Sequence, residues 1–93
     1  MPAAYFIVEF PDGAKRNCYS PSSVIHKYFK SGEQLTMSEF LNRSRLGLHA
    51  ASERVHAKFG FHCSSAQDQL ASIEEWGKAF RPEEVVTICE VTD

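Results

Sequence analysis

No apolar run in this chain approaches the ~20 residues that a membrane-spanning helix needs. Its opening, MPAAYFIVEF, lacks the basic stretch that precedes the apolar segment of a secretory leader. A cytoplasmic protein with no membrane partner is therefore expected. Cysteine is scarce: Cys18, Cys63 and Cys89 are odd in number and widely spaced. That argues against a dense disulfide framework and provides no CxxC knuckle for zinc, so reduced thiols are the expectation. Excess positive charge is also missing. Ten Lys and Arg against twelve Asp and Glu leave a formal net charge of −2, which argues against nucleic acid as a partner. The chain has no Gly-rich phosphate loop, no nucleophile elbow and no Ser-His-Asp set that sequence can locate. Repeats, low-complexity tracts and linkers are absent too.

What is present suits a single globular domain spanning residues 1–93, since a chain of 93 residues encloses one hydrophobic core. Apolar residues make up 43% and charged residues 24%, and eleven aromatic side chains supply ample surface to bury, so disorder is not expected. A core this small leaves little room for an enclosed catalytic pocket of roughly a few hundred Å³.

Residues 4–10, AYFIVEF, read as a strand whose Phe6, Val8 and Phe10 face the core, ended by the turn Pro11-Asp12-Gly13. Lys15 to Tyr19 reads as a polar return strand suited to a sheet edge. Ser20-Pro21 is a helix-start signal, Val24, Ile25, Tyr28 and Phe29 form an apolar stripe, and Gly32 is a stop. Thr36 with Glu39 forms a capping box for a second helix. Met37, Leu41, Ser44, Leu48, Ala51, Val55 and Phe59 recur along it for about six turns, until Gly60. Ser64 with Gln67 opens a third helix, with Ala66, Leu70, Ile73, Gly77 and Phe80 on one face and Pro82 beyond it. VVTICEV, residues 85–91, is apolar enough for a strand beside the first. The order is ββαααβ: an α+β fold with a three-stranded antiparallel sheet covered on one face by helices.

Several clusters could carry chemistry. His49, Glu53 and His56 share a flank of the second helix and are candidate ligands for a borderline metal. The spacing departs from the metalloprotease pattern, and local pairing on a solvated flank is the preferred reading, so neither metal nor cofactor is expected. Cys63 precedes the third helix, where a helix N-terminus and Lys58 would favour a thiolate. Burial between Phe59 and Phe61 is the competing and preferred reading. Arg45 and Ser52 lie at the edge of the apolar stripe, Glu53 further round, and Arg54 with Lys58 on the other side. Leu46, Ala50 and Ala57 fall on the back of the same helix, for the third helix or another protein to cover.

CYSPS at 18–22, S-x-F-L-x-R-S-R at 38–45 and ASERVHAKFGFHCSSA at 51–66 together resemble the small nitrogen-starvation-response family of bacterial nitrilase gene clusters. The opening strand and its PDG turn fit as well, so the resemblance covers nearly the whole chain. It implies a place beside a nitrilase, a radical S-adenosylmethionine protein, an acetyltransferase, a flavin-dependent oxidoreductase and a synthase-like protein, in growth on poor nitrogen sources such as nitriles or cyanide. The family pattern matches at Cys18, Tyr19, Ser20, Pro21, Arg45, Ser52, Glu53, Arg54, Lys58, Gly60, Phe61, Cys63 and Ser64, but not at His49 or His56. Tyr19, Arg45, Ser52, Glu53, Lys58 and Cys63 are accordingly the candidate binding residues. The expected function is that of a non-catalytic accessory protein, binding another product of the cluster or a second copy of itself through the second helix and the Phe59–Cys63 corner. The alternative is a small enzyme or ligand-binding subunit in which Cys63 is the thiolate and Arg45 anchors the substrate.

Overall fold

The computed structural model describes residues 3–60 and 64–92. Strands β1 (Ala4–Glu9) and β2 (Lys15–Ser20) form the opening hairpin, with Phe6 opposite Cys18 and Glu9 opposite Lys15. The turn closes as its residues demand. Gly13 adopts φ +86°, Phe10 donates its amide to the Ala14 carbonyl at 2.8 Å, and Asp12 Oδ1 accepts the Ala14 amide at 3.0 Å. The last strand, β4 (Val85–Thr92), pairs antiparallel with β1, as the sequence led us to expect. Ile7 faces Glu90 and Val8 faces Ile88, so Cys89 is the extra residue of a β-bulge.

The expected ββαααβ order with three strands and three helices is wrong in two places. The helix expected from Ser20 to Gly32 is only a short 3₁₀ segment, Ser23–Lys27. Serine side chains divert the backbone there. Ser20 ends β2 instead of capping a helix, its hydroxyl donates to the Ser22 carbonyl at 2.7 Å, and Ser22, extended at φ −142°, caps the Val24 amide. The apolar stripe is nonetheless inward: Val24, Ile25 and Phe29 are buried. The second error is a missed strand, β3 (Gln34–Thr36), which pairs antiparallel with the start of β4. Three residues with only Leu35 turned inward are too short for periodicity to reveal. The sheet therefore has four antiparallel strands in the order β2-β1-β4-β3, and two α-helices cover it.

Helix α1 (Met37–Phe59) begins where the sequence said. Thr36 Oγ1 accepts the Glu39 amide at 3.2 Å, while the Glu39 carboxylate turns to Arg43 at 2.9 Å instead of completing the capping box. Gly60 stops it in the left-handed region at φ 81°, with its amide on the His56 carbonyl. Gly47 serves another purpose. A Cβ there would lie 2.7 Å from Ile25 Cδ1 and 3.2 Å from the Tyr28 ring, so its hydrogen lets the 3₁₀ segment press against α1. Helix α2 is Ser64–Gly77, with Ala66 and Ile73 buried, and the chain turns away at Lys78–Phe80 where the sequence had continued the helix.

The core lies between the sheet and the helices: Phe6, Val8, Cys18, Val86 and Ile88 from one layer, Met37, Phe40, Leu48, Ala66 and Ile73 from the other. Aromatic rings run through it in contact, Phe6 to Phe29 at 5.2 Å, Phe29 to Phe40 at 5.6 Å and Phe40 to Phe10 at 5.9 Å between centroids. Both flanks of the sheet are tied down. Gln69 of α2 accepts the Tyr19 amide at 2.9 Å, and Ser31 Oγ accepts the Val91 amide at 2.9 Å. Those bonds occupy backbone donors that an added strand would use. No helix among the described residues is long and apolar enough to cross a membrane.

Candidate functional site

Helix α1 runs beside α2, and the seam between them holds three of the residues singled out by sequence, Arg45, Ser52 and Glu53. Steps of 100° per residue put Arg45 and Ser52 on the α2 side of the buried stripe, with Glu53 further toward solvent. Ser52 is 5% exposed. It lines a cleft of about 180 Å³ with Leu48, His49, Glu53, Ala66, Gln67 and Leu70. At the rim, His49 Nε2 stands 3.8 Å from Glu53 Oε1, an exposed pair that is ionic only when the imidazole is protonated.

Arg45 lies two turns nearer the start of α1. Its Nε donates to Glu74 Oε1 of α2 at 2.7 Å, and it lines a separate cleft of about 160 Å³ with Met37, Leu41 and Phe80. This pair joins the helices across their exposed side, and such pairs are worth roughly 0–1 kcal/mol. Tyr19 is on the other layer. It belongs to the outward face of β2, its ring meeting Tyr5 edge-on at 5.6 Å. Lys58 is exposed in the last turn of α1. Cys63, with Phe61 and His62, lies outside the described residues. Ser52 and Glu53 thus share one cleft, Arg45 lines another and Tyr19 is in the sheet. Among the described residues, no group of three or more His, Cys, Asp or Glu side chains is placed to hold a metal ion.

The thiols that are described differ sharply. Cys18 is 0% exposed beneath the helices, and burial pushes its pKa from an ordinary 9.0 up to about 12 despite the opposing charge of Arg16. Cys89, at the bulge, is half-buried, and both thiols are free. Iodoacetamide should therefore label Cys18 only on unfolding, and Cys89 sooner. The same shift fixes a pH dependence. Between 9.0 and about 12 the unfolded thiol releases its proton while the folded one keeps it. Stability contributed by Cys18 is complete below that window and falls as pH rises through it, by up to about 1.4 kcal/mol per pH unit. Urea midpoints measured from pH 8 upward should fall more steeply for the wild type than for Cys18→Ala.

Sequence reading missed the partners that fix these side chains: Glu74 for Arg45, Gln69 for the β2 edge, and Trp76, whose ring centroid lies 4.5 Å from the Arg16 guanidinium carbon. Each pair joins residues 29 or more positions apart, beyond the reach of any local spacing rule.

The family model described as "Nitrogen starvation-induced protein NitG" matches residues 5–91. No curated protein and no solved structure matches the chain.

Proposed function

The chain belongs to the NitG family of nitrogen starvation-induced proteins, and we propose that it acts in that response by binding another protein rather than by catalysis. The partner we favour is another product of a gene cluster that also encodes a nitrilase, the setting in which nitriles or cyanide would serve as nitrogen sources. The single observation that carries this reading is the outer flank of α1. Leu46 is 53% exposed there, and Ala50 and Ala57 continue the same line away from α2 and the sheet. Leucine beside small residues gives a facing helix an apolar anchor with room for close backbone approach.

The reading in which Arg45 anchors an anionic substrate loses support on geometry. Its guanidinium already holds Glu74, and it lines a different cleft from Ser52 and Glu53.

Titration calorimetry against each purified product of the cluster tests the proposal. One of them should bind, and Leu46→Arg should weaken that binding by about tenfold or more, close to 1.4 kcal/mol. An exposed substitution of this kind should leave the urea midpoint within about 0.5 kcal/mol of wild type. Binding that Leu46→Arg does not alter would contradict the placement of the interface. A stable dimer that Leu46→Arg dissociates would instead make a second copy of the chain the partner.

A further inference from the structure

Between the β1–β2 hairpin and the end of α2 lies a groove of about 240 Å³, remote from the outer flank of α1. Three aromatic residues line it. Phe10 stacks on Phe80 with centroids 5.9 Å apart and meets Trp76 edge-on at 6.0 Å. Arg16 reaches in from β2, its guanidinium carbon 4.5 Å from the Trp76 ring centroid. A guanidinium held against a ring keeps its fork of N–H donors for another partner, because the ring consumes none of them as hydrogen bonds. Among the described residues the Trp76 ring is the partner of Arg16, and no carboxylate is bonded to it.

Two carboxylates also line the groove, and each is engaged elsewhere. Asp12 Oδ1 accepts the Ala14 amide within the hairpin turn, and Glu75 pairs with Lys78 at 3.2 Å. Among the described residues Arg16 is the one cation lining the groove, at the mouth of an aromatic-lined space. We propose that this groove binds a small monocarboxylate with an apolar, preferably aromatic, body: the carboxylate on the Arg16 fork, the body against Phe10, Trp76 and Phe80. The fork matches two carboxylate oxygens at once, which a neutral amide cannot reproduce. Asp12 and Glu75 restrict the choice to one negative charge, since a dianion would bring its second charge beside them.

Trp76 is the chain's one tryptophan, so its emission, excited outside the absorption of the ligand, reports on this groove alone. Benzoate should give a saturable change. Benzamide, of the same shape without the charge, and phthalate, with a second carboxylate, should each bind about tenfold more weakly. Arg16→Gln should weaken benzoate by about tenfold or more, and Arg16→Lys should fall between, keeping the charge without the fork. The stack also fastens the hairpin, so a second variant leaves Arg16 in place: Glu75→Gln should shift preference from benzoate toward phthalate. Equal binding of benzoate and benzamide, undiminished benzoate binding by Arg16→Gln, an unchanged preference in Glu75→Gln, or no saturable response from the wild type would each overturn the assignment.

Discussion

Phe40→Ala should destabilise the protein by about 3–5 kcal/mol, a large share of the roughly 5–15 kcal/mol that a domain of this kind possesses. Phe40 is 0% exposed on the first turn of α1, between Phe29 at 5.6 Å and Phe10 at 5.9 Å. Those contacts join the helix to two different parts of the sheet layer: Phe10 follows β1, and Phe29 follows the 3₁₀ segment and stacks on Phe6. Truncation removes the transfer free energy of the ring and leaves a cavity that the two neighbouring rings, each fixed by others, cannot collapse to fill. Urea unfolding followed by circular dichroism measures the loss. A cost under about 1 kcal/mol would mean that the ring chain does not connect helix and sheet as described.

Leu48→Ala should follow closely, at about 2–5 kcal/mol, while His49→Ala should cost less than about 0.5 kcal/mol. The two positions are adjacent, yet Leu48 is 1% exposed and the His49 side chain 76% exposed. The contrast is a direct test of how α1 is rotated about its axis. Equal costs in paired urea melts would show that the helix presents a different face to the sheet. Arg43 would be a poor exposed control. Its guanidinium holds Glu39 and Glu33, each at 2.9 Å, and so fastens α1 to the segment before β3.

These residues also show where sequence sufficed. The Pro11-Asp12-Gly13 turn, the Thr36 cap and the Gly60 stop rest on local chemistry within four residues, and all three are present, the capping box with its Thr36 half alone. The long period of α1 placed Met37, Leu48, Ala51 and Val55 inside for the same reason. β3 escaped because three residues cannot display a period of two, and its identity comes from pairing with Val85–Thr87, some fifty residues later. The 3₁₀ segment was mistaken for a helix because serine and proline are good helix starters, while the competing Ser20–Ser22 bonds depend on where β2 ends. In the candidate site, spacing along α1 correctly put Arg45 and Ser52 near the buried stripe. It could not tell that α2 would claim Arg45 through Glu74, or that β2 would carry Tyr19 on the outward face of the sheet.

The central functional claim is that the outer flank of α1 receives a protein partner, and methyl-resolved NMR of the isotopically labelled chain tests it most directly. On addition of the binding cluster product, the methyl signals of Leu46, Ala50 and Ala57 should shift or broaden, while those of buried Leu48 and Ile73 move little. Unmoved signals at all three outer positions, with the changes falling instead on Leu70 and Ala66 in the cleft or on Val85 of the open sheet face, would contradict it.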